Sequence, residues 1–362
     1  MRPAPYSARA DTVESVDLRT RSDLWALVAS SLACCPPGVG GTLRGGSLAT
    51  TEVEAVCREW VGPDLQLRSA VELRGGSYNT TYRLEVSDGT RAVLRVAPPV
   101  DEQRPSERHL MRNEYASVPF LRPVADVMPT TLMADFTHRI IGRDYVIQSY
   151  LEGVPASNVL GSWSETAQAQ LWRGIGQTLA RIHAIKSDHF GRVMAPTTGR
   201  WSDCLVTGFE LIARGCDELG IDGSDLRYVA DLAAASSEVL DVVSTGSLLH
   251  GDLIPANVMV DPDDPGRGVI GIFDCDRTWW GDPLADWTLI FVERLPPVHR
   301  ESFWDGYGET PTQSDEARRR RAFYRARSIG EIRLEHARLG KDRQAQKTYE
   351  MMSAVVEELV TK

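Results

Sequence analysis

The chain has 362 residues, 42% of them hydrophobic, and a formal net charge of −10. That length suits one large two-lobed unit or two domains with real cores. The acidic balance excludes a general nucleic-acid binder, since no basic excess exists to neutralise phosphates, and no run reaches the ~18 apolar residues of a membrane span.

Residues 1–50 are weakly patterned and read as a partly disordered extension with one helix. The run Leu24 to Ala33 (LWALVASSLA) is apolar and ends at Cys34. It starts late for a signal peptide and Asp23 abuts it, so it reads as a small docking helix. Adjacent Cys34 and Cys35 suit a reducing compartment, and no Cys/His spacing in the chain suggests zinc. A cytoplasmic protein is therefore expected. Residues 51–60 predict a helix with Thr50 or Thr51 as N-cap.

The period then changes. Leu67, Val71 and Leu73 alternate with polar residues, followed by Tyr82-Leu84-Val86 and Ala92-Val93-Leu94-Val96, with Ser87-Asp88-Gly89 as a hairpin turn. Three antiparallel strands are predicted, then a helix from Glu107 to Leu121 with Ser106 as N-cap. Residues 139–150 resemble a further strand pair. After residue 164 the pattern turns helical, over 165–186, 203–219, 225–243, 285–294, 299–307 and 315–360, interrupted by short strands at 247–250 and 269–273. A β-rich lobe followed by a helical one is α+β segregation rather than βαβ alternation. The expected division is an N-terminal extension over 1–60, a β-rich N-lobe over 61–150 and a mostly helical C-lobe over 151–362.

The strongest chemical signal is His250-Gly251-Asp252-Leu253-Ile254-Pro255-Ala256-Asn257. Phosphoryl transfer to a hydroxyl needs a carboxylate to orient that hydroxyl and accept its proton. It also needs an oxygen ligand for Mg²⁺ nearby. Asp252 and Asn257 supply both, in the order of a kinase catalytic loop. Seventeen residues beyond Asn257, the apolar stretch Val269 to Phe273 delivers Asp274, placed for a second metal ligand. Asp276 reads as a surface acid rather than a further ligand. Between the first two strands, Gly75 and Gly76 let backbone approach phosphates, with Ser77 and Asn79 as polar tips. Arg95 on the third strand is the expected phosphate-gripping cation. Glu114 is its expected helix partner, and Glu107 the runner-up.

These residues together resemble the aminoglycoside phosphotransferase and choline kinase-like superfamily over roughly residues 65 to 310. The most specific part is LLHGDLIPANVMV, the strand Asp, then Gly281-Asp282-Pro283-Leu284-Ala285-Asp286. The resemblance implies a protein-kinase-like two-lobed fold, ATP or GTP with Mg²⁺ as cofactors, Asp252 as catalytic base, and Asn257 with Asp274 as metal ligands. Asp282 and Asp286 become a structural signature. Tyr145 to Gly153 becomes the inter-lobe hinge, with Gln148 and Tyr150 beside the nucleotide base. His183 reads as a packed core histidine. Trp279, Trp280, Trp287, Trp304 and Tyr307 read as core more than as pocket wall.

Two departures carry information. No lysine precedes Lys186, so Arg95 stands where the strand lysine is usual. Asp282 follows Asp274 by only eight residues, which leaves no room for the activation loop of a protein kinase. The expected activity is phosphorylation of a small-molecule hydroxyl acceptor, an antibiotic or related natural product, in resistance or biosynthesis. The alternatives are a metabolite kinase acting on an amino alcohol, amino acid or sugar, and a nucleotide-binding pseudokinase regulator. No nucleic-acid or membrane partner is expected.

Overall fold

The computed structural model describes residues 46–361 except Arg74, Gly75 and Ser77. The apolar run at 24–33, Cys34 and Cys35, and the loop positions Gly75 and Ser77 lie outside the described residues.

The N-lobe is built on an antiparallel sheet of five strands: β1 (Leu67–Leu73), β2 (Thr80–Val86), β3 (Arg91–Val96), β4 (Thr131–Asp135) and β5 (Tyr145–Ser149), ordered β1-β2-β3-β5-β4. Side chains alternate across the strands. Leu84, Ala92, Leu94, Val96, Tyr145 and Ile147 therefore share one face, where Val53 and Val56 of helix α1 (Thr50–Val61) cover them. Arg95, Val146 and Gln148 point the other way, toward helix α2 (Leu110–Ser117). Helix α1 is thus packed into the N-lobe core, although its residues were expected in an extension. Its N-cap is Ala49, whose N–H donates to Glu52 at 2.8 Å, rather than a threonine.

The C-lobe opens with a two-residue strand, β6 (Val154–Pro155), and continues through α3 (Glu165–His183), β7 (Lys186–Ser187), β8 (Gly191–Arg192), α4 (Trp201–Glu218), α5 (Ser224–Ala234) and α6 (Ser237–Leu240). Then come β9 (Gly246–Leu249), β10 (Val258–Val260), β11 (Gly271–Ile272), β12 (Trp279–Gly281), α7 (Trp287–Val292), α8 (Pro297–Tyr307), α9 (Asp315–Arg338) and α10 (Asp342–Val360). Leu171, Ile175, Leu179 and Ile182 form the buried stripe of α3, as their spacing requires. Helices α3 and α8 approach closely because Gly176 and Gly306 lie at the contact. A Cβ at Gly176 would meet the Phe303 carbonyl oxygen at 2.2 Å.

Several boundaries differ from expectation for identifiable reasons. The expected helix at 107–121 starts only at Leu110, because His109 is left-handed (φ 61°) and residues 104–109 run as turns held by the C-lobe. Ser106 therefore caps nothing, and its hydroxyl faces Glu331. The strand pair expected at 139–150 is β4 with β5, and the loop between them is closed by Arg112 and His138 on Asp144. The helix expected over 225–243 is divided into α5 and α6, and the one over 315–360 into α9 and α10. Gly340 (φ 65°) lies in the second break. Among the described residues no helix is long and apolar enough to cross a membrane.

Candidate active site

Strand β9 is buried along its length and is followed by buried His250, so the loop that follows is anchored in the C-lobe core. Gly251 (φ 82°) turns the chain where a Cβ would lie 2.7 Å from the Arg277 carbonyl oxygen, so only glycine fits. The loop is tied down by Asp286, which is fully buried. Its Oδ2 accepts the N–H groups of His250 (2.9 Å) and Gly251 (3.2 Å) and lies 3.2 Å from His183 Nε2. Its Oδ1 accepts the Thr288 N–H at 2.9 Å. Burial opposes this charge, but His183, His250 and the backbone donors outweigh it and hold the carboxyl down to about 2. His183 is the packed histidine that the sequence suggested, and Tyr307 binds its other nitrogen at 2.7 Å. Asp282 has a parallel role: it takes Arg320 Nε at 2.9 Å and the Tyr324 hydroxyl at 2.8 Å, fixing α9 against the loop.

Asp252 stands at the mouth of this loop. The Asn257 amide donates both to its Oδ2 (2.9 Å) and to its backbone oxygen (2.9 Å). Burial pushes the Asp252 carboxyl up to about 8, with Asp274 and Glu335 adding to the rise while Arg277 and Asn257 oppose it. The NH₂ group of Asn257 is thus committed to Asp252.

Across the cleft, Arg95 is buried in the middle of the sheet and grips two carboxylates. Its Nη1 is 2.6 Å from Glu114, and its Nη2 bonds Asp274 Oδ1. Burial works against the guanidinium charge, yet Glu114, Asp274 and Asp276 hold it above its ordinary range. Gln148 donates to Glu114 at 3.1 Å, so its side chain braces this pair instead of facing the hinge. Tyr150 likewise stacks under Arg91, whose guanidinium carbon is 4.7 Å from the ring centre. Asp274 sits at a left-handed position (φ 65°) with its side chain 35% exposed.

Asp276 is the clearest correction. It is 4% exposed, not a surface acid, and burial beside Asp274 raises its carboxyl well above the usual range. Glu107 is no partner for Arg95; it faces Arg338 and Arg277 instead. Of the loop tips, Gly76 is exposed, while Asn79 Oδ1 is buried without a partner among the described residues. The core reading holds for Trp279 and Trp280, 7% and 3% exposed.

Asn113 was missed. It is 1% exposed, donates to the carbonyls of Asp276 (2.9 Å) and Thr278 (2.7 Å), and accepts the Met194 N–H at 3.1 Å. It welds α2 to the segment that follows Asp274. Its only signal was a lone amide on the buried side of a helix.

No cluster of three or more His, Cys, Asp or Glu side chains suited to a metal occurs among the described residues. Mg²⁺ takes oxygen ligands and keeps water and substrate phosphate oxygens, and the side chains of Asn257 and Asp274 offer oxygens of that kind.

No curated protein matches the chain in sequence. Solved structures share its fold at low identity. One is a thermostable mutant of aminoglycoside phosphotransferase APH(4)-Ia in complex with AMP-PNP and hygromycin B, at 18% identity and TM-score 0.57, covering 87% of this chain and 100% of that one. A candidate fructosamine-3-kinase of Thermobifida fusca is 18% identical with TM-score 0.56, covering 85% and 100%. The macrolide 2'-phosphotransferase MphH of Brachybacterium faecium is 17% identical with TM-score 0.51, covering 83% and 97%. The model of the phosphotransferase enzyme family matches residues 69–324, and the chain belongs to that family as a small-molecule kinase.

Proposed function

We propose that the protein moves the γ-phosphate of ATP or GTP onto a hydroxyl of an antibiotic or related natural product. One observation carries the reading: Asp252 with Asn257 on one loop, and Arg95 bound to both Glu114 and Asp274 across the cleft. In this reading the acceptor hydroxyl donates to Asp252. Asp252 takes that proton as the transfer proceeds, the role of a general base. The acceptor oxygen bonds the γ-phosphorus while the bond to the β–γ bridging oxygen breaks, and the nucleoside diphosphate leaves. Arg95 holds phosphate oxygens from the sheet side, positioned by Glu114 and Gln148. Asn257 and Asp274 would hold Mg²⁺, which when bound spreads the phosphate charge. Gly75, Gly76, Ser77 and Asn79 cover the phosphates, and the backbone around Tyr150 receives the base.

Arg95 argues against the pseudokinase alternative, because a buried cation already occupies the place of the missing lysine. A metabolite acceptor is the second reading, favoured by the fructosamine-3-kinase likeness. The test is transfer of labelled γ-phosphate, with Mg²⁺ and ATP or GTP, to a panel of hydroxyl-bearing antibiotics, amino alcohols, amino acids and sugars. Labelling of antibiotics is expected. Labelling confined to metabolites would move the assignment to the second reading, and no labelling at all with nucleotide bound would favour the regulator.

A further inference from the structure

Glu107 is buried in the N-lobe, and both of its cationic partners come from the C-lobe. Arg338, at the end of α9, is 3.3 Å from Oε2, with both side chains 4% exposed. Arg277 approaches Oε1 at 3.8 Å, and its backbone packs against Gly251 beside Asp252. Burial pushes the Glu107 carboxyl up, the two arginines oppose that, and Glu331 and Glu335 add to the rise. The main chain of the same segment is held as well. The Arg192 guanidinium donates to the carbonyls of Ser106 and Arg108, the latter at 2.6 Å. The glycine-containing loop joins this assembly through Tyr78, whose hydroxyl donates to the Glu107 carbonyl at 2.7 Å. The Tyr78 ring faces the Arg338 guanidinium, 5.6 Å from its carbon.

A buried carboxylate whose cationic partners among the described residues lie on the opposite lobe resists separation of the lobes, because parting would leave each charge to be rehydrated alone. The tyrosine extends that resistance to the loop that covers the phosphates. We propose that Tyr78, Glu107 and Arg338 form an interlobe clamp that sets nucleotide affinity, acting as positioning residues for the phosphate-covering loop. The proposal rests on the reading of that loop and of Asp274 as the nucleotide site. With the clamp in place Tyr78 and the two lobes are held together before the nucleotide arrives, so less ordering is charged to binding. Without it, the same contacts form only on binding and affinity falls.

The experiment measures the Kd of Mg–ATP and Mg–GTP by titration calorimetry on the full chain, with KM for nucleotide and for acceptor alongside. Tyr78→Phe deletes only the hydroxyl. Arg338→Met deletes the cation while keeping bulk, and the pair Glu107→Gln with Arg338→Met leaves no buried charge unpaired, so the clamp stays testable if the single change impairs folding. Expected are a rise in nucleotide Kd of about threefold to tenfold for Tyr78→Phe and about tenfold or more for both others, with acceptor KM unchanged. Adding Tyr78→Phe to Arg338→Met should weaken binding little further, since both release one clamp. Nucleotide bound equally by wild type and folded variants would overturn the clamp while leaving the function intact. A wild-type protein that binds no Mg–nucleotide would overturn both. A rise in acceptor KM with nucleotide Kd unchanged would assign these residues to the acceptor instead.

Discussion

Replacing Asp286 by Asn should cost stability in a pH-dependent way, because the carboxylate serves four donors that a carboxamide cannot. Asp286 accepts from the N–H groups of His250, Gly251 and Thr288 and from the His183 ring. An amide turned either way presents its NH₂ to one or more of these donors, and an orphaned buried donor costs about 1–3 kcal/mol. A destabilisation of about 2–4 kcal/mol near pH 6 is expected. Part of that is electrostatic. Lowering the carboxyl from 3.8 to about 2 in the folded protein contributes about 2 kcal/mol. The folded value is depressed, so this contribution is complete above the unfolded value of 3.8 and drains away as pH falls through 2. Urea unfolding of wild type and Asp286→Asn from pH 6 to pH 2.5 should show the gap narrowing by about 1.5 kcal/mol. A gap that stays constant with pH, or one below about 0.5 kcal/mol at pH 6, would refute the reasoning.

Asp274→Ala should remove most of the rise in melting temperature that Mg²⁺ with ATP or GTP gives the wild type; an unchanged rise would take Asp274 out of the metal site. Arg95→Ala should raise nucleotide KM far more than acceptor KM, and should also lower stability, since it leaves Glu114 buried without its cation. Deleting residues 1–45 should leave transfer within a few-fold, as no motif lies there. The deletion must stop before Leu48, which is 8% exposed and whose N–H donates to the Tyr82 hydroxyl at 2.6 Å. Complete loss of transfer in a folded truncated protein would show that the segment contributes to the site.

The two-lobed fold was legible because strand and helix periods segregate along the chain, and the HGD loop stood out because His250 to Asn257 are eight adjacent residues. The Arg95–Glu114 pair was reachable for a related reason: one strand and one helix, nineteen residues apart, carry it. What escaped depends on burial from distant segments. Asp276 looked like a surface acid because nothing nearby in sequence announces α2 packing over it. Asn113 looked like an ordinary helix amide until the backbone of Asp276 and Thr278 was placed against it. Glu107 and Arg338 are 231 residues apart, and no local pattern joins them. The start of α2 was misplaced for the same reason: residues 104–109 are held as turns by C-lobe arginines, against their local helix pattern.

The central claim is that Asp252 takes the proton of the acceptor hydroxyl, and single-turnover transfer by Asp252→Asn tests it most directly. Asparagine keeps the size and one oxygen acceptor but cannot receive the proton. The single-turnover rate constant should fall by about 10²–10⁴, with Mg–nucleotide affinity little changed because Asn257 and Asp274 would still hold the metal. A loss of stability and nucleotide binding together would mean that Asp252 only braces the loop. Turnover near the wild-type rate on a labelled acceptor would contradict the catalytic assignment outright.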